Sequence, residues 1–149
     1  MKNVFLLALV LILGCKKSEP TLTTEYAYFI FGSHYGECAG DCARIFKLEN
    51  QQLFADDGLV YYTQNDIPFQ TTSLSAEKVA LAVALSEQVP AQLFDQPDGA
   101  IGCPDCRDQG GFLVEVKLST GEVRRWNIDP DKEEYEAFCD AIRTAVNQM

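Results

Sequence analysis

Residues 112–128 constrain the fold more than any other stretch. Phe112, Val114, Val116 and Leu118 alternate with Leu113, Glu115 and Lys117, the period-two pattern of a strand that buries one face. Ser119-Thr120-Gly121 then turns the chain into residues 122–128 and closes a hairpin. An isolated hairpin is marginal in water, so it needs further strands or a helix against its apolar face. The chain supplies both. Residues 25–31 (EYAYFIF) are aromatic and β-branched with apolar residues at both parities, which predicts a strand buried on both faces. Residues 43–48, 52–55 and 59–63 read as three more strands, separated by turns at Glu49-Asn50 and Asp56-Asp57-Gly58. Three glycines within residues 32–41 predict a loop between the first two strands.

Ser75 predicts the cap of a helix running to Gln88, with Glu77 at the positive end of the dipole and Val79, Ala82, Val83 and Leu85 as its apolar surface. Pro90 starts a short turn through Phe94, and residues 95–111 read as a long loop. Asp129-Pro130 predicts the start of the last helix, with proline at its first position. Tyr135, Phe138, Cys139, Ile142 and Val146 then fall on one helical face. Strands, a helix, a hairpin and a helix predict an α+β fold, an antiparallel sheet with two main helices packed on one face. With 149 residues and 47% hydrophobic content, the chain suits one domain, placed at residues 25–149.

The N-terminus predicts the compartment. Lys2 gives a positive start and residues 4–13 are an unbroken apolar run. Such a run of about ten residues is about 15 Å long as a helix, half a bilayer core, so it fits the apolar region of a secretory signal and not a membrane span. Ile12-Leu13-Gly14-Cys15 at its end resembles the lipobox of bacterial lipoproteins. The resemblance implies cleavage after Gly14, a diacylglycerol on the Cys15 thiol, and acylation of the new amine, with palmitate the expected chain. It implies a signal peptide at residues 1–14 and a lipidated cysteine with a polar tether, KKSEPTLTT, at residues 15–24. Some lipoproteins stay in the inner membrane through an Asp after the cysteine. Lys16 stands there instead, which favours the outer membrane of a Gram-negative cell envelope.

Twelve basic against twenty-two acidic residues give a net charge of -10. That balance disfavours nucleic acid as a partner and leaves the lipid on Cys15 as the contact with the membrane. No Ser–His–Asp order and no phosphate-binding glycine loop is present, and Glu37 and Asp41 are paired carboxylates with nothing to position a substrate. The residues therefore offer no catalytic constellation. Asp95, Asp98, Asp105 and Asp108 crowd one loop without the spacing of a calcium hand and read as a solvated acidic face. Trp126, on a strand with Arg124 and Ile128, reads as core packing.

Of six cysteines, one taken by lipid leaves five, so at least one has no partner within a monomer. Cys139 lies on the apolar stripe of the last helix and is expected to be a buried thiol, the alternative being a bridge to a loop cysteine. Cys38-Ala39-Gly40-Asp41-Cys42 resembles the C-x-G-x-C element at a strand entrance in uncharacterised bacterial domains, where proline commonly follows; here Ala43 does, and the resemblance implies no activity. Three readings of Cys103-Pro104-Asp105-Cys106 compete. In an oxidising compartment, Cys38 with Cys42 and Cys103 with Cys106 form two local disulfides, with no cofactor. His34, Cys38, Cys42, Cys103 and Cys106 also contain the donor set of a zinc site. A thiol-active pair is the third reading, although redox pairs sit at helix N-termini, whereas a strand follows here, and Asp105 disfavours a thiolate. The function expected from these residues is a lipid-anchored binding or structural module. The alternative is a thiol-active or zinc-binding envelope protein.

Overall fold

The computed structural model describes residues 26–36, 40, 42–58 and 66–149. The signal segment, the tether, Cys15, Cys38 and the strand expected at residues 59–63 lie outside them. Within the described residues, six strands form one sheet: β1 Tyr26–His34, β2 Ala43–Glu49, β3 Gln52–Ala55, β4 Gly99–Ile101, β5 Gly111–Leu118 and β6 Val123–Ile128. Two helices accompany it, α1 Ala76–Ser86 and α2 Glu136–Gln148. The sheet order is β3-β2-β1-β5-β6-β4. The fold is thus α+β with a mostly antiparallel sheet. It is not wholly antiparallel, because β4 runs parallel to β6.

Each half of the sheet is built locally. The β2–β3 hairpin turns through Asn50 and Gln51, both left-handed at φ 50° and 62°, as a two-residue turn with the strand twist requires. The turn therefore sits one residue later than the sequence predicts. The β5–β6 hairpin closes with Leu118 N–H donating to Glu122 O at 2.8 Å and Gly121 N–H to Leu118 O at 2.9 Å. β1 joins the halves, pairing β2 on one side and β5 on the other.

Phe29, Phe31, Leu48, Val114, Trp126 and Ile128 of the sheet share one buried cluster with Val83 and Leu85 of α1 and Phe138, Cys139, Ile142 and Val146 of α2. Ile30, Ile45 and Leu113, of the opposite parity, form a second cluster against Ile67 and Phe69. β5 is therefore buried on both faces from Gly111 to Val116, where the alternation predicts one. Ser75 holds the N-cap position of α1 without a side-chain cap hydrogen bond; its carbonyl accepts Val79 N–H at 3.0 Å. The last helix begins later than Asp129-Pro130 predicts. The Asp129 carboxylate accepts the N–H of Asp131 at 3.0 Å and its carbonyl that of Lys132 at 3.1 Å. This Asx-type turn competes with helix, and a 3-10 turn at Glu133–Tyr135 intervenes before α2.

Cys139 is a free, buried thiol, and burial pushes it up to about 12. At neutral pH it carries its proton and packs as a small hydrophobe. Cys139→Ser is expected to cost about 1–3 kcal/mol through a poorly paired buried hydroxyl, measured by urea unfolding. The native thiol should react with Ellman's reagent only as fast as the domain opens; rapid labelling would contradict the packing.

Candidate functional site

The chemistry-bearing residues gather at the end of the sheet where β1 stops and β5 starts. The geometry begins with Cys103 and Cys106, which are joined as a disulfide with their Cα atoms 5.5 Å apart. Both are exposed. Between them Asp105 adopts the left-handed conformation, φ 60°, and Asp108 follows at 59°, a region that non-glycine residues enter rarely.

The aspartates of this loop are acceptors for backbone N–H groups. Asp105 Oδ1 takes the Gly110 N–H at 2.9 Å, and its Oδ2 takes the N–H of Gly36, beyond the end of β1, at 2.5 Å. Asp129, leaving β6, accepts the Cys103 N–H at 2.9 Å. Gln109 donates to Cys103 O at 2.9 Å and approaches Asp129 Oδ1 at 3.4 Å. Arg107 reaches Asp131 at 2.5 Å, an exposed pair of small energetic weight. The loop expected to be a solvated acidic face is therefore an internally bonded structure in which one of its acids, Asp105, and Asp129 from the end of β6 hold backbone.

His34 ends β1 and is buried. The glycine-rich stretch predicts a loop histidine; it is a strand residue, paired with Ala43 and Gly111. Its Nε2 lies 2.6 Å from Asn127 Oδ1 on β6. Gly111 allows that approach, since a Cβ there would stand 2.6 Å from Nε2. Tyr35 N–H donates to Cys42 O at 2.7 Å, so the Cys42 segment and the 103–106 loop flank the same strand end. Cys42 is disulfide-bonded, with a partner outside the described residues. The segments carrying His34, Cys42, Cys103 and Cys106 thus meet at one end of the sheet, but Cys103 and Cys106 are bonded to each other. Among the described residues, no group of three or more His, Cys, Asp or Glu side chains is arranged to hold a metal ion.

Sequence reasoning missed Asp129, Asn127, Gln109 and Gly36. The Gly110-Gly111 pair was a usable signal, because glycine entering a strand often marks a close approach of another chain segment.

Two of these groups make the domain acid-sensitive. Burial holds His34 below its ordinary value of 6.5, outweighing the Asn127 hydrogen bond and the Asp105 charge. The unfolded chain then binds a proton before the folded one as pH falls, so this contribution is present above 6.5 and declines below it. For Asp129, burial alone would raise the carboxyl, but the N–H groups of Cys103 and Asp131, Gln109 and the Arg107 charge together hold it below 3.8. Its contribution is present above the unfolded value and lost as pH falls through the folded one. Urea midpoints should therefore fall in two stages on acidification. His34→Gln should remove the upper stage and leave the lower; an unchanged upper stage would remove His34 from the account.

Among the described residues, several concavities lie elsewhere. A groove of about 400 Å³ runs between α1 and α2 past Ala84, Ala141 and Ala145. A pocket of about 150 Å³ on the opposite face of the sheet holds Glu115, which accepts Tyr28 Oη–H at 2.7 Å and Arg125 at 3.2 Å. Neither brings together a nucleophile and a base. No family model, no curated protein and no solved structure matches the chain.

Proposed function

We propose that the chain is a lipid-anchored lipoprotein of the cell envelope, held at the outer membrane of a Gram-negative bacterium through Cys15, and that its domain serves as a binding or structural module. The observation that carries this reading is the exposed Cys103–Cys106 disulfide, which belongs with an oxidising compartment. The bonded state of Cys42 supports the same compartment. The anchor rests on Ile12-Leu13-Gly14-Cys15 after the apolar run, and the address on Lys16. Cys38 is the partner we assign to Cys42, leaving Cys15 for the lipid. Both helices cover the Phe29–Trp126 side of the sheet in this reading, consistent with their shared cluster.

The second reading is a thiol-active or zinc-binding envelope protein; the exposure of Cys103 and Cys106 supports its thiol-active form, and its zinc form requires the bridge to be reduced first. Intact mass and detergent-phase partition of the mature protein test the first reading. An N-terminal cysteine carrying diacylglycerol, in the detergent phase, is the expected result. An unlipidated N-terminus elsewhere in the chain would overturn it. Four free loop thiols with stoichiometric zinc would transfer the function to the second reading.

A further inference from the structure

We propose that Cys103–Cys106 is a redox-modification site: a dithiol reduces it in the folded protein, and the reduction unclasps the 102–110 loop from the end of β1. The site does not depend on the anchor, and it goes beyond the module reading by assigning a reaction and a structural response.

Access is the first ground. Both cysteines are exposed, and exposed disulfides are the ones that exchange. The second ground is what the bridge holds. It closes a ring around Asp105, whose backbone is left-handed. That same residue carries the carboxylate that takes Gly110 N–H from its own loop and Gly36 N–H from sixty-nine residues away. One side chain is therefore the hydrogen-bonded tie between the two cysteine-bearing segments, and the disulfide keeps its backbone in a conformation an open chain seldom samples.

The chemistry balances. A thiolate of the dithiol attacks one bridge sulfur, forms a mixed disulfide and expels the other sulfur as a thiolate, which takes up a proton. The second thiol of the reagent loses its proton and attacks its own half of the mixed disulfide. It closes the reagent's ring and expels the second protein sulfur, which is protonated in turn. Two electrons and two protons pass from the dithiol to the protein. A monothiol is a poor reagent here. The freed cysteine stays tethered beside the mixed disulfide, with Cα atoms that start 5.5 Å apart, and expels the monothiol again.

The test uses the full-length protein in detergent micelles with dithiothreitol, differential alkylation and amide hydrogen exchange. The expected result is opening of 103–106 while the β1 and β5 core amides stay protected. Protection of the Gly36 and Gly110 amides should fall by about tenfold or more in the reduced protein. The Cys103→Ser/Cys106→Ser variant should reproduce that loss without reductant. Asp105→Ala should reproduce it with the bridge intact. Opening only together with the core amides would overturn the proposal, because the site would not then be reducible in the folded state. So would reduction that leaves Gly36 and Gly110 protected, because the bridge would not then be what holds the clasp.

Discussion

Cys15→Ala is expected to abolish acylation and cleavage after Gly14, so that the chain is recovered as an unlipidated precursor. Each methylene buried in a bilayer contributes about 0.8 kcal/mol, so two or more acyl chains hold a protein at the membrane, an anchor the alanine variant does not have. Among the described residues no helix is long and apolar enough to cross a membrane. The polar tether that follows, with Lys16 and Lys17, gives only weak surface attraction. Intact mass measures the outcome. An alanine variant that is still acylated, or still cleaved after Gly14, would remove Cys15 as the anchor.

Gly32→Ala is expected to destabilise the domain strongly. Gly32 lies inside β1, paired with Ile45 on one side and Leu113 on the other. A Cβ at this position would stand 2.2 Å from Arg44 O and 2.8 Å from Ile45 Cα, both backbone atoms, and 2.7 Å from Ile45 Cδ1. Backbone cannot yield as a side chain does, so β1 and β2 would have to part at the middle of the sheet. Overpacking in a core costs about 1–3 kcal/mol and occasionally more; a backbone clash in a central strand lies at the upper end of that range. That is a large share of the roughly 5–15 kcal/mol available to a domain. Urea unfolding or soluble yield measures it. A Gly32→Ala protein as stable as the parent would show that β2 does not approach β1 this closely.

Gly32 also shows where the sequence was legible and where it was not. Glycines at 32, 36 and 40 together read as loop, yet β1 continues through Gly32 to His34. The residue that breaks the pattern is the one that lets two strands come together. The parts that were legible rest on period. The stripe from Tyr135 to Val146 and the alternation from Phe112 to Leu118 each carry enough apolar residues at one spacing to specify an element. Gly99–Ile101 has three residues among Gly, Pro and Asp and no period to read, so β4 was hidden in the expected loop. Asp129-Pro130 carries a helix-start signal, but the carboxylate is taken by Asp131 and Cys103, and a turn results. At the candidate site the 103–106 bridge was one of three readings the spacing allows, favoured by the expected compartment, and it is the one the structure shows. Its ties to Gly36 and Asp129 were not legible, because they join segments far apart in sequence and no local pattern encodes them.

The sheet order has a consequence for how the protein is made. β1, β2 and β3 are contiguous in sequence and in space, and β5, β6 and β4 form the other half. The N-terminal half can assemble from its own hairpins without the rest of the sheet. The side of β1 that meets β5 stays bare until the chain through Leu118 has been synthesised. Closing the β1–β5 seam pays the loop-closure entropy of the whole intervening segment, which places it late in folding. For that interval Phe29, Phe31 and the open backbone of β1 form an adhesive strand edge, of the kind that pairs with other chains. On the proposed envelope reading the chain crosses a membrane before folding and carries this edge with it, so its yield there should depend on a holdase that shields β1 until β5 arrives.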